Sequence, residues 1–233
     1  MKNIAIIILS GLFIFTSSIE AQQLYQMSQY MVNPVIYNPA ASGLYDAVWI
    51  YGAGRNQWIG FKDQNNETIQ PRNMIAGANI PIHSINSMIG FHYNLEKLAY
   101  QSRSDFKLDY AYKLNIGKKQ SLSLGISGQI SQMKLDIDKL IPLDSTDPIN
   151  LTPGKQKDLI PEIGVGIFYA SEERFWAGFS LLNLLGSKAT LGNIIMDDQM
   201  AAVIQAQYKI SLINERKRKI ELAPSFLVKS NFT

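Results

Sequence analysis

The chain has 233 residues and a mass of 26.1 kDa, a length that suits one all-β domain. Hydrophobic residues make up 46% and charged residues 18%, and the mean hydropathy of -0.03 excludes a protein of many membrane helices, which needs repeated apolar runs of about 20 residues. Cysteine is absent and the net charge is only +3, which excludes disulfides and thiolate metal sites and does not favour nucleic-acid binding.

The first element is a predicted secretory signal peptide, residues 1–21. Lys2 precedes an apolar run from Ile4 to Phe15, and small and polar residues then lead to Ala21, after which we expect cleavage. An N-terminal membrane anchor is the alternative, although the run is short for a span. The pattern predicts an exported protein.

Most of the remaining chain alternates with a period of two. In residues 106–116, apolar side chains alternate with mostly polar ones, and residues 121–131 repeat the pattern after a polar turn, which predicts a β-hairpin. The same pattern, with varying clarity, predicts nine strands. They are 45–56, 72–82, 87–96, 101–116, 120–134, 160–170, 174–184, 200–212 and 219–229.

The connections between these strands alternate in length. Short turns are predicted at 83–86, 117–119, 171–173 and 213–218, longer loops at 57–71, 135–159 and 185–199, and a moderate connection near 97–100. Short periplasmic turns and longer outer loops are typical of transmembrane β-barrels, whereas Greek-key crossovers would break the parity. The predicted fold class is therefore all-β, an up-and-down antiparallel transmembrane β-barrel.

The alternation also predicts which side chains face lipid and which face inward. The expected lipid-facing residues are Leu108, Tyr110, Leu114, Leu124, Ile126 and Ile210. The expected inward-facing residues are Lys107, Asp109, Lys113, Gln205 and Lys209. Aromatic residues near strand ends predict an interface girdle. They are Tyr45, Trp49, Tyr100, Tyr112, Tyr169, Phe175, Trp176 and Tyr208.

Motifs that carry chemistry are missing from the sequence. Gly52-Ala53-Gly54 is an isolated Gly-x-Gly with no helix after it, and there is no nucleophile elbow, zinc-protease motif or phosphate loop. We therefore expect no catalytic residue, no metal and no cofactor.

Several motifs, in their order and spacing, carry a family resemblance. They are a glutamine-rich start after Ala21, SQYMVNP at 28–34, NPAASG at 38–43, RNQW at 55–58 and the hairpin LDYAYKLNIGKKQSLSLGISG at 108–128. Together they resemble the PorP/SprF family of outer-membrane proteins of the Bacteroidota type IX secretion system.

The resemblance implies a non-enzymatic outer-membrane β-barrel of the secretion and gliding machinery. Its partners would be a large secreted surface adhesin or other secretion components, the periplasmic ring among them, together with outer-membrane lipid and no nucleic acid. The signal peptide and the amphipathic strands predict a mature N-terminus in the periplasm, with a periplasmic segment at 22–44 and an outer-membrane barrel at 45–233. Only a structural role is implied for the motif residues Asn38, Pro39, Ala40, Arg55, Gln57 and Trp58.

Two alternatives to this function stay open at the level of sequence. The polar inward face would also suit a porin-like channel for small solutes, and a soluble exported barrel that binds an apolar ligand is the third possibility. An odd count of nine strands predicts an incomplete barrel, cut short at the C-terminus, with 45–56 and 219–229 as unpaired edges, unless residues 22–44 supply a tenth strand.

Overall fold

The computed structural model describes residues 27, 29–140, 154–171, 174–215 and 218–231. The predicted signal peptide, residues 1–21, lies outside them. Thirteen strands dominate the described chain. They are β1 (Trp49–Asn56), β2 (Arg72–Ile82), β3 (Ser87–Leu98), β4 (Gln101–Gly117), β5 (Gln120–Asp136), β6 (Lys155–Ser171), β7 (Phe175–Leu182), β8 (Lys188–Leu191), β9 (Ile194–Asp197), β10 (Ala201–Tyr208), β11 (Ile210–Glu215), β12 (Arg218–Leu222) and β13 (Ser225–Asn231).

Nine of these strands form one antiparallel sheet that curls into a half-barrel, in the order β1-β2-β3-β4-β5-β6-β7-β10-β13. The predicted all-β, up-and-down fold is therefore confirmed. β1 and β13 lie at the two edges, and in the described part of the chain no ladder joins them. The alternative of a tenth strand is wrong for residues 30–44, which form 3₁₀ helices. No helix among the described residues is long and apolar enough to cross a membrane.

The two faces of the sheet differ sharply in polarity. On the outer face, the predicted lipid-facing side chains are exposed, among them Leu108 at 49% and Leu124 at 48%. On the inner face, Asp109 and Gln205 are completely buried. The predicted division into outer and inner positions is confirmed for the residues within this sheet. Lys209, predicted to face inward, is exposed between β10 and β11, and Ile210 lies in the separate hairpin β11–β12. Period-two alternation alone accounts for this division, because successive side chains of a strand point to opposite faces.

The exposed apolar side chains form a band that crosses the sheet diagonally. On β2 the band is centred near Ala78, which aligns through β3 with Leu108 of β4. On β10–β11 it is centred near Tyr208, which aligns through β7 and β6 with Gln120 and Gly117. The centre thus shifts by about nine residues, or ~30 Å, over six strand spacings, or ~29 Å. The strands are therefore tilted by about 45° to the normal of the band, close to the tilt of transmembrane barrels.

Two connections and two strands differ from the prediction. β3 and β4 are joined by a two-residue turn at 99–100, and the segment 185–199 contains the hairpin β8–β9. The predicted strands 200–212 and 219–229 each divide in two near Pro224, which has no N–H to donate to the ladder. The N–H of Tyr208 still donates to the Pro224 carbonyl at 3.0 Å.

The predicted aromatic girdle is only partly correct. Tyr169 and Phe175 project from the outer face, with ring centres 6.2 Å apart, and Tyr112 and Tyr208 are also exposed there. Trp176 instead faces inward, where it is 5% exposed and its ring stacks on Phe168 at 5.3 Å. The prediction fails there because Trp176 directly follows the outward-facing Phe175, and neighbouring strand residues face opposite sides.

Candidate functional site

The inner face of the sheet holds a segment of the chain itself, residues 29–45, which we call the plug. It contains three 3₁₀ helices, Tyr30–Val32, Pro34–Ile36 and Pro39–Leu44. Two of them begin with proline, whose fixed φ favours a helical first turn, where its missing N–H is not needed. Most plug residues from 33 to 43 are buried. The plug therefore fills the inner face as compact turns rather than as a strand.

Asn38 fastens the plug to two strands. Its side chain is fully buried, and its Oδ1 accepts a hydrogen bond from the Ala40 N–H at 2.9 Å, which caps the third helix. Its Nδ2 donates to the carbonyl oxygens of Ile167 on β6 at 3.0 Å and of Phe179 on β7 at 3.2 Å. The buried amide is thus paired through both its oxygen and its nitrogen, as burial of a polar group requires.

Glycines on three adjacent strands make room for the plug. A Cβ atom at Gly125 of β5 would lie 2.3 Å from the Ala40 nitrogen, and one at Gly166 of β6 would lie 2.1 Å from Asn38 Oδ1. A Cβ atom at Gly178 of β7 would lie 2.6 Å from Asn38 Nδ2. These separations are far below van der Waals contact, so the close approach depends on the missing side chains.

A buried charge holds the plug from the other side. Lys107 of β4, whose side chain is 9% exposed, donates through Nζ to the carbonyls of Val35 at 2.9 Å and Ile36 at 3.3 Å. The same Nζ lies 3.2 Å from Asp109 Oδ2, and that oxygen lies 2.9 Å from His92 Nε2. A buried ammonium is tolerated only when it is paired and hydrogen-bonded, so the plug carbonyls complete its shell.

Strands β7, β10 and β13 also bind the plug. The hydroxyl of Ser180 donates to the Tyr37 carbonyl at 2.5 Å, and Nε2 of Gln205 donates to the Pro34 carbonyl at 3.1 Å. The hydroxyl of Tyr30 donates to a β13 carbonyl at 3.0 Å. Side chains or carbonyls of β4, β6, β7, β10 and β13 therefore all hydrogen-bond to this one segment.

A second polar cluster lies on the inner face, nearer to the long loops. The guanidinium of Arg103 makes a two-pronged ion pair with Asp198 at 2.6 and 2.7 Å, and its Nε donates to Asp105 at 2.7 Å. Between this cluster and the plug lies a cavity of ≈ 110 Å³ lined in part by Tyr37, His92 and Arg103. Among the described residues, no group of three His, Cys, Asp or Glu side chains is placed to hold a metal ion.

At the long-loop end of the sheet, which we call the rim, polar contacts join three of the segments between strands. The Tyr100 phenol, in the β3–β4 turn, donates to the Asp63 carboxylate in the loop after β1. This bond raises the pKa of Tyr100 to about 12 and lowers the pKa of Asp63. Lys139, in the 3₁₀ helix Ile137–Lys139, pairs with Glu67 and lies 5.9 Å from the Tyr100 ring centre.

The predicted motif residues fall into two separate places. Asn38, Pro39 and Ala40 lie together in the buried plug. Arg55 is exposed at the end of β1, and Trp58, 69% exposed with φ 50°, follows in the loop. Gln57 is half-buried there, with its N–H bonded to the Pro71 carbonyl at 2.9 Å. The structure does not bring the two groups into contact.

The glycines that receive the plug were not singled out from the sequence, whereas Lys107 and Gln205, which also bind it, were predicted to face inward. Gly125, Gly166 and Gly178 lie on the inward phase of their strands, and the residues directly before and after each of them along the strand are apolar and point outward. That repeated placement of glycine on one face was the available signal, because a glycine in a strand often marks close approach of another backbone.

The comparison with known families covers both the plug and the sheet. A sequence profile described as type IX secretion system membrane protein PorP/SprF matches residues 19–233, a range that includes every described residue of the plug, its glycine contacts and all thirteen strands. The chain belongs to the PorP/SprF family. The resemblance inferred from the motifs is therefore confirmed, and this PorP/SprF chain is a membrane component of the type IX secretion system. No curated protein matches the chain.

Proposed function

We propose that this PorP/SprF chain is a non-enzymatic β-barrel component of the outer membrane that assists secretion or surface attachment of a large adhesin, or links the machinery to its periplasmic ring. The membership in the family and the tilted apolar band on the outer face support a place in a membrane. A strand-built protein with such a band fits the outer membrane, where barrels are the spanning structures.

The proposed orientation puts the N-terminus in the periplasm. β1 begins at Trp49, at the same end of the sheet as the turns 83–86 and 118–119, and the longer loop 57–71 lies at the other end. Short turns of transmembrane barrels face the periplasm. In this arrangement a segment within 22–44 reaches from the periplasmic side onto the inner face of the barrel formed from residue 45 onward.

The plug is the observation that carries the proposal. It lies on the inner face and is hydrogen-bonded to five strands, so the chain's own backbone covers part of the polar inner face. A plug of this kind suits a barrel that binds proteins at its loops and at its periplasmic end.

Deletion of the gene in its source bacterium tests the proposal. We expect the deletion strain to lose one or a few large proteins from its surface and medium, as measured by mass spectrometry, and a plasmid copy to restore them. Abundances of unrelated outer-membrane proteins serve as the control. An unchanged surface proteome would contradict the proposal.

The porin-like alternative rests on the polar inner side chains. Conductance measured in a lipid bilayer distinguishes it from the proposed secretion role. We expect the purified full chain to give no stable solute-permeable pore, because the plug occupies the inner face. A steady conductance that is unaffected by a plug-displacing substitution such as Gly166→Ala would favour the channel.

A further inference from the structure

Four cations lie in one straight row across the outer face of the sheet, near the long-loop end. Arg72 of β2 pairs with Lys97 of β3, which pairs with Ser102 of β4. Ser102 pairs with Lys134 of β5, which pairs with Lys157 of β6. All four cationic side chains are exposed. We call these five residues the basic row.

The row places like charges directly opposite each other twice. Arg72 faces Lys97, and Lys134 faces Lys157, and like charges at opposed positions of neighbouring strands destabilise a sheet. In the part of the chain that the structure describes, none of the four makes an ion pair with a carboxylate. Sheet stability alone does not account for this arrangement.

The neighbouring row shows the contrasting arrangement. One position further toward the loops on the same face, Asp136 lies opposite Lys155, with their charged atoms 3.8 Å apart. Lys139 likewise pairs with Glu67. Lysines close to the basic row therefore have acidic partners, whereas the row itself has none among the described residues.

The basic row borders the apolar band. The next outward positions, about 7 Å along the strands, include the apolar Met74, Leu95 and Leu159, and the positions after those include Phe106 and Ile130. Charges at the edge of a lipid-facing band lie at the depth of lipid headgroups.

A cleft lies beside the row on the same side. It measures ≈ 400 Å³ and is lined by Lys97, Ser102, Lys134 and Lys157, together with the paired lysines of the neighbouring row and helix. Its five lysines outnumber its two carboxylates, and both carboxylates already have a lysine partner. The cleft therefore presents uncompensated positive charge to the headgroup layer.

We propose that the basic row binds the phosphate groups of an anionic lipid in the leaflet that borders the long-loop end. A lipid phosphate between two opposed cations replaces their mutual repulsion with two attractions. The acyl chains of the same lipid then lie along the apolar band. Ser102, in the middle of the row, adds a hydroxyl donor.

Retention of lipid by the purified full chain tests the proposal. Phosphatidic acid is added to the protein in a neutral detergent, and the bound lipid is counted by native mass spectrometry for wild type, for the variant Lys134→Gln with Lys157→Gln, and for the control Lys118→Gln with Arg174→Gln. The control removes equal charge from exposed positions at the short-turn end. We expect about 30-fold weaker binding for the row variant and less than twofold change for the control.

Thermal unfolding gives a second readout, because the row variant should shift the unfolding temperature in opposite directions without and with the lipid. In neutral detergent the row variant should unfold at a higher temperature than wild type, because the opposed charges are gone. With phosphatidic acid present it should unfold at a lower temperature. Three results would each overturn the proposal. The row variant and the control could weaken lipid binding equally, the same concentration of inorganic phosphate could displace the lipid, or the row variant could be destabilised both without and with the lipid.

Discussion

Asn38 of the plug lies against Gly166 of β6 so closely that a methyl group at position 166 would fall 2.1 Å from Asn38 Oδ1. The contact joins a motif at the start of the folded chain to a strand more than a hundred residues later. Each partner needs the other, since the amide is satisfied by the strand carbonyls and the strand has no side chain there. The plug is therefore an integral part of the fold, packed against the inner face of the sheet.

The first prediction tests this contact with two glycines of different surroundings. Gly166→Ala should lower the free energy of unfolding by about 1–3 kcal/mol, because the added methyl group overlaps the buried amide. Gly128→Ala is the control, since a Cβ atom there meets nothing within 4 Å. Urea unfolding in lipid vesicles measures both. An equal effect of the two substitutions would show that the plug does not lie where the structure has it.

The second prediction concerns the buried cation. Lys107→Met should cost about 3–5 kcal/mol, because it leaves the Asp109 carboxylate buried without its cation and the plug carbonyls without a donor. The double variant with Asp109→Asn should recover part of that loss, and the coupling energy from the double-mutant cycle is the quantity to measure. Additive losses would contradict the pairing.

The sequence could predict the faces of the sheet but not the seating of the plug. Leu124 and Asp109 follow a period of two, which fixes their faces without any knowledge of the partner strands. The plug has no such period, because its 3₁₀ turns are set by Pro34, Pro39 and a cap at Asn38. In the sequence, Gly166 is only a small residue that alternates with the apolar residues of its strand.

Features that depend on register across several strands were equally out of reach. The basic row exists only because four successive ladders align Arg72 with Lys157, and a shift of one residue in any ladder would disperse it. Trp176 is a different case, because the period-two phase of its own strand, next to the outward-facing Phe175, already puts it inside despite its position near a strand end.

The third prediction concerns the lipid face. Leu124→Arg should reduce folding stability in bilayers by about 2–4 kcal/mol, because it places a charge in the apolar band. Gln132→Arg, on the same face of β5 but close to the basic row, should cost at most about 1 kcal/mol. Refolding into vesicles followed by urea titration gives both values. A harmless Leu124→Arg would mean that the face is not against lipid.

The last prediction uses the rim contact between Tyr100 and Asp63, which lies outside the membrane-spanning strands. The pKa of Tyr100 is raised from 10.0 to about 12, so the bond is fully present below pH 10 and is lost as pH rises from 10 to about 12. The pKa of Asp63 is lowered from 3.8, so the same bond is also present above pH 3.8 and is lost only as pH falls through the lowered value. Because the chain has no cysteine, Gln64→Cys gives a single site for a spin label in the loop after β1. The label should be least mobile on the plateau between these two ranges, and Tyr100→Phe should make it mobile at neutral pH and abolish the alkaline step. A label whose mobility is the same with and without the Tyr100 hydroxyl would show that this bond does not hold the loop.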